Sequence, residues 1–251
     1  MSLSAVLEVT GLVKSFTLHN IDGRCVTALD GVDLTVGEGE HVALAGSSGA
    51  GKSSLLKCVY RTYLPSAGSV VLVGEGGERV DLLTLSEREV LTLRGRRLGY
   101  VSQFLRSPPR RTALEIVAEA AMMRGVARFD ARSAAEVALD RLRLDRSLWD
   151  VHASVLSGGE RQRVNLAAGT VSPPRLLLLD EPVSALDPDN RAAALDLIAG
   201  LSDAGVAVLS VFHDLDAMHR LASRVVLMRG GRVVEDGSPS EVLRHELGVA
   251  R

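Results

Sequence analysis

The sequence predicts an α/β protein with a parallel sheet that is covered by helices on both faces. In its second half, short apolar runs alternate with segments of helical period, as in "RLLLLD", "NRAAALDLIAGL" and "VAVLSVF". In its first half, the apolar run "HVALAG" leads through glycines into "GKSSLLKCVYR", which has helical spacing. Because strands that alternate with helices form parallel sheets buried on both faces, we expect such a sheet at the centre of the fold.

Length and composition favour a single soluble domain over residues 1–251. A chain of 251 residues can bury one substantial core, and a net charge of -2 lacks the basic excess that nucleic-acid binding needs, so no nucleic-acid partner is expected. The two cysteines fit neither a disulfide framework nor a zinc site, which favours a cytoplasmic location. No segment approaches the roughly 18 apolar residues that cross a bilayer, so we expect any membrane role to depend on a partner.

The elements before and after the glycines follow from local patterns. Residues 5–45 contain short apolar or alternating runs separated by Gly and Asp turn signals, which predicts strands. Further along, "SVVLVG" and "VDLLTL" favour strands, and "SEREVLTLRGRR" begins with the capping pattern of a helix. Residues 112–149 are rich in Ala, Leu and Arg at helical period, which predicts a helical insertion before the apolar strands resume.

The sequence "GSSGAGKS" at residues 46–53 fits the phosphate-binding pattern Gly-x-x-x-x-Gly-Lys-Ser between a strand and a helix. Such a loop turns its backbone N–H groups towards phosphates, and the following helix adds its positive N-terminal dipole. In this pattern Lys52 reaches the β and γ phosphates and the Ser53 hydroxyl ligates Mg²⁺. An ordinary glycine-rich turn is the alternative. The predicted binding residues are Gly46, Ser47, Ser48, Gly49, Ala50, Gly51, Lys52, Ser53 and Ser54.

Two further motifs carry possible chemistry. The run "LLLLDEP" ends a buried strand in two acids, of which Asp180 suits water-mediated Mg²⁺ coordination and Glu181 suits polarising an attacking water. A strand that runs into an acidic surface turn is the alternative. In "LSGGERQRV", a Ser-Gly-Gly sequence opens a helix and predicts a second anion site, with an ordinary helix cap as the alternative.

Together these motifs resemble those of the ATP-binding cassette (ABC) ATPase family, and the resemblance covers nearly the whole chain. It implies an α/β fold of the P-loop NTPase class, with an antiparallel β subdomain and an inserted helical subdomain. The catalytic core would comprise approximately residues 1–100 and 172–251, and the helical subdomain approximately 104–171. The motifs occur in the family's order: the phosphate loop 46–53, Gln103, the signature 156–160, "LLLLDEP", "SALD" at 184–187 and His213.

The resemblance also implies a mechanism with ATP and Mg²⁺ as cofactors. Two such domains would pair head to tail, because one chain carries one phosphate loop and one signature. The signature residues Ser157, Gly158, Gly159 and Glu160 would then meet the partner's ATP, and Asp187 would cross the dimer interface.

The same resemblance assigns roles around the nucleotide. Gln103 would approach Mg²⁺ and the attacking water, His213 would hydrogen-bond the γ phosphate, and Glu181 would complete the catalytic group. Phe16 would stack on adenine, with a core phenylalanine as its alternative.

Within this family, several stretches are similar to the ATP-binding subunit (PhnL) of the bacterial carbon-phosphorus (C-P) lyase system. They include "GYVSQFLRSPPRRTALEIV" and "RLRLDRSLWDVHASVLSGGERQRVNLAAG". This similarity implies C-P lyase core subunits as partners and a role in forming ribose 1-methylphosphonate 5-triphosphate from ATP and methylphosphonate. The tail "RVVLMRGGRVVEDGSPSEVLRHE" instead resembles transporter cassettes. The alternative is therefore the nucleotide-binding subunit of a membrane transporter, with a transmembrane permease as its partner.

Overall fold

The computed structural model describes residues 4–18, 24–103 and 110–246. Its strands are β1 (Ala5–Leu18), β2 (Arg24–Gly37), β3 (His41–Ala45), β4 (Ala67–Val73), β5 (Arg79–Asp81), β6 (Leu98–Val101), β7 (Leu176–Asp180), β8 (Ala207–Val211), β9 (Arg224–Arg229) and β10 (Arg232–Gly237). Its α-helices are α1 (Lys52–Val59), α2 (Glu87–Arg96), α3 (Ala113–Met123), α4 (Arg128–Arg141), α5 (Gly158–Thr170), α6 (Pro188–Asp203), α7 (Leu215–Leu221) and α8 (Pro239–Glu246).

The central sheet has six strands in the order β10-β9-β3-β8-β7-β6. The pairs from β9 to β6 are parallel, and β10 is antiparallel to β9. Every residue of β3, β7 and β8 is buried, as expected for strands with both faces covered. The carboxyl ends of the parallel strands lie at one edge of the sheet, which is where such folds bind ligands.

A second, antiparallel sheet has the order β2-β1-β4-β5. The long strands β1 and β2 pair along most of their length, with several register shifts that bend the ribbon. The predicted α/β fold with an antiparallel β subdomain is therefore confirmed. The prediction of a strand at "VDLLTL" is wrong beyond Asp81, where β5 ends. The chain turns there because the Asp81 carboxylate accepts the Leu83 N–H at 2.9 Å.

Side chains that alternate along the central strands divide the core into two layers. In β3, Val42 and Leu44 pack towards α1 and the antiparallel sheet, whereas Ala43 and Ala45 pack towards the helical side. In this way the central sheet supports the glycine loop from one face and the α5–α7 layer from the other.

The helical segment contains α3, α4 and α5, which follow β6 and precede β7 in the chain. The three helices pack against one another. The helix α3 begins with a capping box in which Thr112 and Glu115 bond each other's backbone. The buried Trp149 donates its indole N–H to the carbonyl oxygen of Leu144 at 3.0 Å. In the part of the chain that the structure describes, no helix has the length and apolar character to cross a membrane.

Replacement of Leu139 on α4 tests the core of the helical segment. Leu139 is fully buried, so Leu139→Ala should lower the free energy of unfolding by about 2–5 kcal/mol. The control Val137→Ala lies on the same helix at a half-exposed position and should change it by less than about 0.5 kcal/mol. Urea unfolding followed by the fluorescence of Trp149, the single tryptophan, measures both. Equal losses in the two variants would contradict this packing.

Candidate functional site

Four of the parallel strands deliver the predicted polar residues to one edge of the sheet. The glycine loop follows β3 and Gln103 follows β6. Asp180 is the last residue of β7, Glu181 follows it, and His213 follows β8. Because β3, β8, β7 and β6 are neighbours in that order, these residues lie side by side along the edge.

The backbone of the glycine loop at 46–51 requires glycine at Gly46, where a side chain has no room. Gly46 has a φ of 128°, and a Cβ atom there would lie 2.2 Å from the carbonyl oxygen of Met228 in β9. The N–H of Gly231 donates to the carbonyl oxygen of Ala50 at 3.1 Å, so the turn after β9 holds the other end of the loop. The loop is thereby held against β9 and the turn that follows it.

The helix α1 begins directly at the loop, and its first N–H groups have no acceptors within the helix. Lys52, the first residue of α1, is 6% exposed, and its ammonium donates to the carbonyl oxygens of Gly46 at 2.5 Å and Ser47 at 2.9 Å. A helix N-terminus and a lysine therefore face the same loop. This arrangement attracts anions.

Asp180 connects β7 to α1 and β6. Its Oδ1 accepts the hydroxyl of Ser53 at 3.0 Å, and its Oδ2 accepts the hydroxyl of Tyr100 at 2.8 Å. Hydroxyl and carboxylate oxygens are the ligands that Mg²⁺ prefers, so this pair fits a magnesium ion that is also bound by phosphate oxygens. Within the residues described, no group of three or more His, Cys, Asp and Glu could hold a metal ion by itself.

Glu181 is the centre of a second polar group. Its Oε2 accepts the side-chain amide of Gln103 at 3.0 Å, and its Oε1 lies 2.7 Å from Nε2 of His213. The carboxylate is 15% exposed and the imidazole 64% exposed, so the group faces the solvent through the histidine. The structure therefore brings all three predicted catalytic residues together.

The backbone of Glu181 has a φ of 54°, a left-handed conformation that costs a non-glycine residue about 1–2 kcal/mol. Its N–H donates to the carbonyl oxygen of Val211 at 3.0 Å. Its own carbonyl oxygen accepts the side-chain amide of Gln162 at 2.8 Å. Hydrogen bonds on both sides of the residue offset the strain and aim the carboxylate along the edge.

The predicted signature residues lie at the start of α5. Ser157 and Gly158 are exposed, and Ser157 forms a capping box with Glu160, whose carboxylate accepts the Ser157 N–H at 2.7 Å. The hydrogen bonds from the backbone and hydroxyl of Ser157 hold the pKa of Glu160 below its usual value.

Asp187, also exposed, caps α6 in a similar way. The side-chain amide and the backbone N–H of Asn190 both donate to its carboxylate, and they lower its pKa. Ser157, Gly158 and Asp187 therefore lie on the surface, at the N-termini of α5 and α6.

Phe16 lies on β1 of the antiparallel sheet, and its ring is partly exposed. The ring meets Tyr63 edge to face, with centroids 5.1 Å apart, and the ammonium of Lys14 lies 4.8 Å from its centroid. The ring therefore remains available to a ligand on part of its surface, in a positively charged setting.

Three residues of this site were missed by the sequence reasoning: Tyr100, Gln162 and Asn165. Tyr100 stacks on Tyr60 with centroids 4.9 Å apart while it donates to Asp180. Asn165 donates to the carbonyl oxygen of Ser102 at 2.6 Å and thus supports the segment that carries Gln103. A signal was present, because Gln162 and Asn165 are polar residues spaced by three on a helix that is buried along most of its length.

Comparisons with known proteins agree with this geometry. A family model described as ABC transporter matches residues 29–184, and the chain belongs to this family. It is 36% identical to a candidate peptide import ATP-binding protein of Brucella melitensis, over 98% of this chain and 75% of that protein. It is 37% identical to the methionine import ATP-binding protein MetN of Streptomyces griseus, over 95% of this chain and 66% of MetN.

Solved structures show the same fold. The dimeric ATP-binding cassette MJ0796 in a post-hydrolysis state with ADP and Pi superposes with a TM-score of 0.83, at 25% identity over 93% of this chain and 98% of that one. The subunit cbiO1 of the cbiONQ transporter complex from Clostridium perfringens gives 0.73, at 27% identity over 97% of this chain and 92% of that one. The chain is therefore an ABC-type ATPase, as predicted.

The finer prediction of a C-P lyase subunit receives no support. The relatives reported above are named for peptide and methionine import, and none of them for C-P lyase. Of the stretches that suggested it, residues 104–109 lie outside the described part of the chain. The "SLWD" stretch has a packing role, because Trp149 is buried in the helical segment. The transporter alternative agrees better with the comparisons.

Gly46→Ala tests the shape of the loop. The added Cβ would lie 2.2 Å from the carbonyl oxygen of Met228, so the loop or β9 must move. The control Gly49→Ala also has a positive φ, 81°, but its Cβ would meet nothing within 4 Å. We expect Gly46→Ala to lower the free energy of unfolding by about 1–3 kcal/mol more than Gly49→Ala, as measured by urea unfolding. If the two variants were equally stable, the close approach to Met228 would be refuted.

Proposed function

We propose that this chain is the ATP-binding subunit of an ABC importer, and that it hydrolyses Mg-ATP as half of a head-to-tail dimer. The observation that carries the proposal is the placement of the glycine loop, Asp180, Glu181, Gln103 and His213 along one sheet edge. A loop for phosphates beside a carboxylate that can polarise water suits phosphate-bond hydrolysis better than nucleotide binding alone.

ATP would bind with its phosphates in the loop at 46–54 and its adenine against Phe16. The N–H groups at the start of α1 would donate to phosphate oxygens. Lys52 would exchange its two carbonyl acceptors, on Gly46 and Ser47, for oxygens of the β and γ phosphates. A charged acceptor strengthens such hydrogen bonds, so this exchange favours the nucleotide-bound loop.

Magnesium would be held by the Ser53 hydroxyl and by Gln103, with Asp180 acting through water. When bound, the ion would neutralise charge on the phosphates. Tyr100 keeps one oxygen of Asp180 engaged, which leaves the other directed towards Ser53.

Glu181 would act on the attacking water. The water gives a proton to the carboxylate as its oxygen bonds the γ phosphorus, and the bond to the β–γ bridging oxygen breaks to yield ADP and phosphate. Gln103 and His213, which now contact both carboxylate oxygens, would orient the water and the γ phosphate.

A second copy of the cassette would complete each site. The signature residues 157–160 begin an exposed helix N-terminus, which is suited to the γ phosphate bound by a partner's loop. Asp187, exposed at the start of α6, would lie across the same interface. The related cassette MJ0796 is dimeric with ADP and Pi, which supports this arrangement.

Glu181→Gln tests the hydrolytic step. The amide cannot take a proton from water, so turnover should fall by at least about 100-fold while ATP binding is retained, as measured by phosphate release and nucleotide titration. The control Glu136→Gln changes an exposed carboxylate on α4 and should leave both unchanged. Lys52→Ala, in contrast, should lose both ATP binding and turnover. Unchanged turnover in Glu181→Gln would remove Glu181 as the base.

The proposed partner is a transmembrane permease that imports an amino acid or a short peptide. Support comes from the names of the relatives, which are ATP-binding subunits for methionine and candidate peptide import. The cargo itself would be bound by the permease and its associated proteins, so this chain would determine the energy supply and not the specificity.

Isolation of the tagged chain from its own cells tests the partner. We expect it to copurify with a permease from detergent-solubilised membranes, and deletion of its gene to abolish uptake of the cargo. Glu181→Gln should copurify equally well but fail to restore uptake. The importer proposal would be refuted if the chain copurified with soluble C-P lyase subunits and its deletion instead abolished growth on methylphosphonate.

A further inference from the structure

The side chain of Gln162 connects the signature helix to the turn that follows β7. It is 2% exposed, and its Nε2 lies 2.8 Å from the carbonyl oxygen of Glu181 and 3.3 Å from Oγ of Ser184. Its Oε1 accepts the N–H of Ala185 at 2.7 Å. One buried amide therefore contacts both ends of the turn at 181–185.

The orientation of this amide is determined by the backbone groups around it. The carbonyl oxygen of Glu181 can only accept a hydrogen bond, and the N–H of Ala185 can only donate one. A flipped amide would place oxygen against oxygen and N–H against N–H. The glutamine side chain carries a donor and an acceptor together, so from its position on α5 it satisfies the Glu181 carbonyl and the Ala185 N–H at once.

A second contact joins the same two segments. A Cβ on Gly159 would lie 3.0 Å from the carbonyl oxygen of Ala185, so the first turn of α5 presses directly on the turn. A shift of α5 towards the turn would therefore displace residues 181–185, and the hydrogen bonds of Gln162 join the two segments.

The backbone of Glu181 is one of the groups that this connection holds. Its N–H donates to Val211 in β8, and its carbonyl oxygen accepts a short hydrogen bond from Gln162 at 2.8 Å and a longer one from the Ser184 hydroxyl at 3.2 Å. With a φ of 54°, the backbone of Glu181 is in a region that non-glycine residues leave when such restraints are removed. Without Gln162, the carbonyl would keep only the longer hydrogen bonds from Ser184, within the turn itself, and the carboxylate could turn away from Gln103 and His213.

We propose that Gln162 is a positioning residue for hydrolysis, which holds the Glu181 carboxylate at the γ phosphate and makes its placement depend on the position of the signature helix. This rests on the proposed function, in which Glu181 takes the proton from the attacking water. Gln162 acts through Glu181 and does not touch the nucleotide.

Gln162→Met keeps the length of the side chain and removes its hydrogen bonds to Glu181, Ser184 and Ala185. The value of kcat should fall by about 10- to 100-fold, because a carboxylate that is displaced from the attacking water accepts its proton less efficiently. The KM for ATP should stay within about twofold, because the phosphate loop is untouched. Gln162→Glu keeps the acceptor for the Ala185 N–H and loses the donor to the Glu181 carbonyl. It should likewise lower kcat and leave KM nearly unchanged, and it provides the test if Gln162→Met does not fold.

The matched control is Thr170→Val on the same helix. Thr170 is buried, but its hydroxyl donates to Leu166 at 2.7 Å within α5, so its loss costs a hydrogen bond without touching the turn. Its kcat should equal that of the unmodified protein. An equal fall in kcat for Thr170→Val would overturn the proposal and assign Gln162 to helix stability alone.

A double variant separates positioning from a general structural role. If Gln162 acts only through Glu181, then Gln162→Met should not lower the residual turnover of Glu181→Gln any further. A further fall of the same size as in the single variant would overturn the proposal, as would an unchanged kcat in Gln162→Met. Full turnover in Glu181→Gln alone would instead refute the proposed role of Glu181, so the two failures are distinguishable.

Discussion

The hydrogen bond from Ser53 to Asp180 joins residues that lie 127 positions apart, and the geometry of the site depends on it. Ser53 belongs to the first turn of α1, and Asp180 ends β7, which is separated from β3 by β8. The bond therefore brings the glycine loop and the acidic strand end together across an intervening strand. Asp180 is 6% exposed, so this contact and the one from Tyr100 also satisfy a carboxylate that could not otherwise be buried without a large cost.

Parts of this arrangement could be predicted from the sequence because they depend on local chemistry. The phosphate pattern at 46–53 specifies its own loop and helix start, and "LLLLDEP" specifies a strand with acids at its end. The capping box of Ser86 and Glu89 at the start of "SEREVLTLRGRR" is equally local. Once the strands are parallel and adjacent, the meeting of Gln103, Glu181 and His213 follows from where each strand ends.

The remaining features depend on tertiary contacts that no single segment encodes. Tyr100 meets Asp180 because β6 and β7 pair in register, and Gln162 meets Glu181 because α5 packs against the turn after β7. The run "VDLLTL" looked like a strand, but the side chain of Asp81 ends it. The prediction of a C-P lyase subunit, which the comparisons do not support, depended in part on residues such as Trp149, whose role in this structure is to pack the helical segment.

The close approach of Gly46 to Met228 makes the glycine loop depend on a segment that lies far from it in the sequence. The region matched by the family model ends at residue 184, yet the carbonyl oxygen that shapes the first glycine of the loop belongs to β9, and the N–H that holds Ala50 belongs to Gly231. A fragment ending before β9 would contain every motif named above, His213 included, and would still lack the segment that packs against the glycine loop. Substitutions that displace the backbone of Met228 or Gly231 should therefore deform the glycine loop, even though β9 and the turn after it contain none of the motifs named above.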